Sequence, residues 1–159
     1  MFEEVKRVVT VAVNGGFDPL HRGHLEHFKM ARQLGDRLIV LLNSDEWLMR
    51  KKGYVFMPFD DRKAIIESLS CVDVVIPVVD EGDTVAETLR MMKPDVLAKG
   101  GDRDRDHMPE EELEVCDEVG IELVFHVHDP SKKNLSSSKM VENACQNAYP
   151  LFRLASKGG

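Results

Sequence analysis

His21 and His24 stand three residues apart behind a pair of glycines, in the stretch Gly15-Gly16-Phe17-Asp18-Pro19-Leu20-His21-Arg22-Gly23-His24. Three residues is close to one helical turn, so both imidazoles can face a single bound anion. Glycine lets a backbone approach a phosphate with no Cβ in the way. A helix starting here would add unpaired N–H groups and the positive end of its dipole. Together these residue types suit the triphosphate of a nucleotide. A lone histidine at position 24, set among Leu25, Phe28, Ala31 and Leu34, would instead suit a hydrogen-bonded core. The second imidazole and the glycines are what favour the anion.

Such a turn needs a strand before it and a helix after it. Val8–Val13 is a short, near-continuous apolar run, and so are Leu38–Leu42, Val72–Val78, Val96–Ala98 and Leu123–Val127. Runs of this kind predict strands covered on both faces. Helical patterns fall between them, at Gly23–Leu34, Asp60–Leu69, Thr84–Met92 and Pro109–Val119, with a last helix over Ser137–Ala148. Pro109 followed by Glu110, Glu111 and Glu112 makes a good first turn, and Gly120 ends that helix. Asp83 is a candidate cap for Thr84–Met92, which Pro94 closes off. The alternation predicts an α/β fold: a single-domain, Rossmann-like, doubly wound five-stranded parallel sheet with helices on both faces. The domain is expected over 1–155, followed by a disordered tail at 156–159.

In an open parallel sheet, ligands bind at the carboxyl ends of the strands. The second strand is followed by Asn43-Ser44-Asp45 and then Arg50-Lys51-Lys52-Gly53, the densest basic cluster in the chain. On a mobile loop over the nucleotide, a lysine there would offset charge on the triphosphate. The fourth strand is followed by Lys99-Gly100-Gly101-Asp102, where glycines admit a base or ribose and Asp102 can accept from a hydroxyl or an amine. Arg103, Asp104, Arg105, Asp106 and His107 then suggest a solvated loop or a lid. After the fifth strand, Ser136-Ser137-Ser138 opens a helical run, offering hydroxyls and free N–H groups to a second anion. Trp47, the one tryptophan, belongs either to the core or to an acceptor pocket.

His21-Arg22-Gly23-His24, preceded by Gly16-Phe17-Asp18, resembles the HxGH signature of the cytidylyltransferase-like nucleotidyltransferases. The resemblance runs from the first strand to the serine run. It is nearest to the heptose-phosphate adenylyltransferases and the glycerol-3-phosphate cytidylyltransferases. It implies that His21 and His24 contact the α- and β-phosphates of the nucleotide, and that Lys52 matches a family lysine. It further implies that Gly15, Gly16, Phe17, Asp18, Lys99, Gly100 and Asp102 bind nucleotide, and that Ser136, Ser137 and Ser138 hold the β- and γ-phosphates. Asp18 and Arg62 would contact the phosphates or the acceptor. Met92-Lys93-Pro94-Asp95-Val96-Leu97 with the Gly-Gly-Asp turn leans towards the heptose-phosphate pattern and ATP. Two departures stand out. Serines replace two family threonines, and an upstream arginine is missing, with Lys132 or Lys133 as a candidate replacement. A lysine is a point charge where arginine is a fork. The family also forms homodimers.

Composition narrows the alternatives. With 21 Lys and Arg against 28 Asp and Glu, the net charge of −7 argues against a nucleic-acid partner. It leaves room for a local positive pocket. The three cysteines, Cys71, Cys116 and Cys145, form no CxxC pair, which suits free thiols in a reducing cytoplasm. No run approaches the roughly 20 apolar residues of a membrane span. GxGxxG and GxxxxGK[ST] are both missing, and the His126/His128 pair finds no third metal ligand at a sensible spacing. The expected activity is transfer of a nucleoside monophosphate from ATP or CTP to a small sugar or polyol phosphate, with release of pyrophosphate. A heptose phosphate comes first and glycerol phosphate second, with phosphoethanolamine, phosphocholine or a phosphonate after them, and Mg²⁺ is held by phosphates and water. The competing expectation is a nucleotide-binding regulator that keeps the fold without turnover.

Overall fold

The computed structural model describes residues 6–101, 103–128 and 135–155, with 149–155 described by backbone only. Asp102, Lys132, Lys133 and the tail 156–159 lie outside the described residues.

Five parallel strands form one sheet: β1 (Thr10–Gly15), β2 (Arg37–Leu42), β3 (Val74–Pro77), β4 (Val96–Ala98) and β5 (Glu122–Val124). Their spatial order is β3-β2-β1-β4-β5. The chain winds outward from β1 through β2 to β3, then crosses back to place β4 on the other side of β1. This is the doubly wound arrangement, and its direction reverses between β1 and β4. The helices are α1 (Arg22–Arg32), α2 (Asp45–Lys52), α3 (Phe59–Glu67), α4 (Ala86–Met92), α5 (Glu110–Val119) and α6 (Ser137–Ala155).

Strand alternation sorts the core onto two faces. Val11, Val13, Leu38, Val40 and Leu42 pack with Phe28 and Ala31 of α1 and Ile66 of α3. Ala12, Ile39, Leu41 and Leu97 point the other way, onto Leu89 of α4 and Val115 and Cys116 of α5. Helices therefore cover both faces, as predicted. Register is pinned at the amino ends by aspartates. Asp36, Asp73 and Asp95 accept from the backbone N–H groups of Val9, Leu38 and Thr10 respectively. Among the described residues, no helix is long and apolar enough to cross a membrane.

Four local expectations are corrected. The first strand runs to Gly15, so the pairing reaches the glycines themselves. Arg50-Lys51-Lys52 is no loop: it forms the last turn of α2, begun by a Ser44 cap on Trp47 N–H and ended by Gly53 at φ 78°. Cations at a helix carboxyl end complement the dipole. Asp83 does not cap α4; it pairs with Arg50 and Lys51. The α4 amides are taken instead by Asp80, at Glu87 and Thr88, and by Glu112, at Val85. Finally, β5 stops at Val124, and His126 adopts φ 58°, outside the extended region. His126 and His128 therefore share no strand face, and Arg105–His107 forms a short 3-10 turn.

Candidate active site

The carboxyl ends of β1, β2 and β4 open into a cavity of about 490 Å³, within the usual range for small-molecule sites. Its lining includes Gly15, Gly16, Phe17, His21, His24, Lys52, Lys99, Gly100 and Ser136–Ser138. It also includes Asn14, His27, Asn43, Trp47, Arg103 and His128. Among the described residues, Lys52, Lys99 and Arg103 are the lysines and arginines of this lining and Glu26 its one acid, with Lys99 paired to Glu112 behind it.

The two histidines build their own turn. His21 is the N-cap of α1, and its Nδ1 accepts from Gly23 N–H at 3.0 Å. His24 Nδ1 in turn accepts from His21 N–H at 3.4 Å. This is the reciprocal capping box usually made by Ser/Thr and Glu, here made by two imidazoles. An Nδ1 that accepts carries no proton, so each neutral ring holds its hydrogen on Nε2. Among the described residues nothing occupies either Nε2. The rings stack, with centroids 3.7 Å apart and planes 20° from parallel. Gly23 is required by this stack: a Cβ there would lie 2.9 Å from His21 Cε1.

Electrostatics keep the pair neutral. Burial first, then Lys52, lowers the His21 pKa. Burial, His21, His27 and Lys52, in that order, push His24 down to about 3. Phe17 forms the wall behind it. Its ring meets His24 edge-on at 5.1 Å and Phe28 at 4.9 Å, from a backbone held at φ 48°. A β-carbon on Gly15 would sit 2.9 Å from that ring. Lys52 Nζ donates to Asp18 O at 2.9 Å, and burial lowers its pKa.

At the α6 start, Ser137 is buried and its hydroxyl donates to Pro19 O at 2.8 Å, tying the helix to the histidine turn. Ser136 Oγ takes the amide of Lys139 at 3.5 Å, and Ser138 stands exposed beside it on the cavity. Lys99 is buried against Glu112 at 3.0 Å and Asn14 at 2.8 Å. Gly100 gives the His27 ring its space, since a Cβ would come within 3.0 Å of Nδ1. His27 Nδ1 donates to Val127 O at 2.5 Å.

Asp18 and Arg62, expected to contact phosphate or acceptor, are not among the residues that line the cavity. Both are fully buried. The Asp18 carboxylate accepts the amides of Phe56 and Met57, each at 2.7 Å. Arg62 donates to Met57 O, Gly16 O, Asn43 O and Asp45 Oδ1. Arg62 thereby holds the backbone of two cavity-lining residues, Gly16 and Asn43. Sequence reasoning passed over Asn14 and His27. Asn14 directly precedes Gly15, and His27 lies one turn beyond His24 on the same helix face, so spacing alone could have flagged the histidine.

Comparison with known proteins agrees with this geometry. Residues 12–143 match the cytidylyltransferase-like family. The chain is 40% identical over 101 residues to FAD synthase of Pyrococcus abyssi, covering 63% of this chain and 68% of that protein. It is 43% identical over 104 residues to the bifunctional protein HldE of Helicobacter pylori strain P12, covering 64% of this chain but 22% of that one. It thus spans about a fifth of the bifunctional relative. A solved lipopolysaccharide core biosynthesis protein from Thermoplasma volcanium superposes with a TM-score of 0.60 at 31% identity, covering 76% of this chain and 95% of that one. The chain belongs to the cytidylyltransferase-like family, and it is a nucleotidyltransferase.

Proposed function

We propose that the chain transfers the nucleoside monophosphate of ATP or CTP to a small phosphorylated acceptor, with a heptose phosphate and ATP favoured. An acceptor phosphate oxygen attacks the α-phosphorus in line. The new P–O bond forms as the bond to the β-phosphate breaks, and pyrophosphate leaves. The attacking phosphate is already an anion at neutral pH, so no side chain must remove a proton. The protein's work is alignment and charge compensation.

The observation that carries this reading is the capping box of His21 and His24, two rings that line the cavity and whose neutral Nε2–H donors have no partner among the described residues. On this reading they donate to phosphate oxygens, while Lys52 and the Ser136–Ser138 helix start hold the leaving pyrophosphate. Among the described residues no three His, Cys, Asp or Glu side chains gather to cage a cation. Mg²⁺ would accompany the nucleotide and would add to the charge compensation that Lys52 and the Ser136–Ser138 helix start supply.

The FAD synthase similarity favours a second acceptor, the phosphate of a flavin mononucleotide. Pyrophosphate release should be measured with ATP and with CTP against heptose phosphate, flavin mononucleotide and glycerol phosphate. Turnover with ATP and heptose phosphate supports the first reading, and turnover with the flavin supports the second. Tight nucleotide binding with no turnover on any acceptor would instead favour a regulator.

A further inference from the structure

The side chain of Asn14 is oriented by a chain of contacts that begins on the far side of the sheet. Val85 N–H, at the head of α4, donates to Glu112 Oε1 at 3.1 Å. The other oxygen of Glu112 accepts from Lys99 Nζ at 3.0 Å, and Lys99 Nζ also donates to Asn14 at 2.8 Å. An ammonium can only donate, so the Asn14 atom that faces it is the oxygen. The amide nitrogen is therefore turned away from Lys99. Among the described residues no group accepts from it.

The side chains of Lys99 and Glu112 are only 5% and 4% exposed. A buried ion pair of this kind is a weak source of stability, because desolvation offsets its attraction and apolar residues of similar size often serve as well. Here it does two other things. It locks the orientation of the Asn14 amide, and it places a cation on the amide oxygen. A cation there draws electron density from the nitrogen and makes its hydrogens stronger donors in a low-dielectric setting.

Asn14 lines the cavity. Its strand β1 lies between β2, which leads to Lys52, and β4, which leads to Lys99 and Gly100, while the paired histidines follow β1 itself. With the polyphosphate on the histidine side and the base beyond β4, the group that reaches Asn14 is the one joining them. A polarised donor suits an anionic oxygen better than a hydroxyl. We propose that Asn14, held by the buried Lys99–Glu112 pair, donates through its amide nitrogen to one non-bridging oxygen of the nucleotide α-phosphate. Lys99 is then a positioning residue for the transferred group. This inference rests on the nucleotidyl-transfer reading and names a contact within that site.

The test uses the two α-thio diastereomers of whichever of ATP and CTP the purified chain binds, with adenosine or cytidine as the control. A donor aimed at one non-bridging oxygen discriminates between the diastereomers. The wild-type chain is expected to bind one at least about tenfold tighter, the effect of one charge-assisted hydrogen bond. Asn14→Asp keeps the shape and the acceptor for Lys99 but loses the donor, and should bring that ratio to about threefold or less. Lys99→Met should do the same by freeing the amide to rotate, and Lys99→Arg should restore part of the preference. If Lys99→Met fails to fold because Glu112 is left unpaired, the Lys99→Met/Glu112→Gln double variant removes both charges and is expected to show the same lowered ratio. Nucleoside affinity should stay within about twofold throughout.

A folded Asn14→Asp chain that keeps the wild-type ratio would overturn the inference while leaving nucleotidyl transfer intact. So would a nucleoside affinity that falls as far as that of the triphosphate, which would move the contact off the phosphate. A wild-type chain that binds neither triphosphate would end the functional reading itself.

Discussion

His21 and His24 each turn Nδ1 onto the backbone of the same turn, so one pair of rings both starts a helix and presents two Nε2–H groups to the cavity. The two duties can be separated by substitution. Asparagine is among the best N-caps and reproduces the Nδ1 acceptor, but it has nothing in place of Nε2. His21→Asn should therefore unfold in urea within about 0.5 kcal/mol of the wild type, while turnover falls about 10²–10³-fold, the usual loss for one transition-state donor. Near-normal pyrophosphate release from this variant would remove His21 from the chemistry.

Acid should destabilise the fold through the same rings. The His24 pKa is lowered to about 3 in the folded chain, chiefly by burial, against about 6.5 when unfolded. Between those values the unfolded chain binds a proton that the folded chain refuses. The stabilisation is thus complete above about pH 6.5 and is lost as pH falls from there, at a slope approaching 1.4 kcal/mol per pH unit from this residue. Urea unfolding at pH 7 and pH 5 measures the slope, and His24→Gln should flatten it. Because the folded ring is already neutral at pH 7, nucleotide affinity should not drop between pH 7 and 8.5 as it would for an imidazolium.

Among the described residues Lys52 makes a single hydrogen bond, to Asp18 O. Losing it should leave stability within about 0.5 kcal/mol, in line with other partly exposed polar substitutions. Turnover of Lys52→Gln should fall about 10²–10³-fold, with most of the loss in kcat and little in KM for the acceptor. A loss confined to KM would show that the lysine binds substrate and transition state alike.

Arg62 should behave in the opposite way. Its guanidinium is fully buried and satisfies the carbonyls of Gly16, Asn43 and Met57 together with Asp45. Lysine cannot reproduce that fork. Arg62→Lys should cost about 3 kcal/mol or more in urea unfolding, the range for breaking a buried charged network. Wild-type stability in this variant would mean that the network is dispensable.

The sheet and its helices were legible because each apolar run is short, buried on both sides and punctuated by Gly, Pro or Asp. The run Val8–Val13 located β1 but ended too early, since Asn14 and Gly15 extend the strand while reading as a turn. The helix α2 escaped because it buries only Leu48, and its basic last turn looks like a solvated loop. Its end signals, Ser44 and Gly53, were present all along. The burial of Arg62 was not legible for a general reason: arginine is rarely fully buried, so nothing in its type announces a place in the core. Which nitrogen of each histidine carries its proton depends on contacts between Nδ1 and backbone amides, and only the folded turn reveals those.

Trp47 lines the cavity close to Gly16, and the chain has no other tryptophan. Indole emission responds to the polarity and quenching of its surroundings. The protein therefore carries an intrinsic optical sensor on the cavity wall, and occupancy of the cavity can be followed by fluorescence without attaching any label.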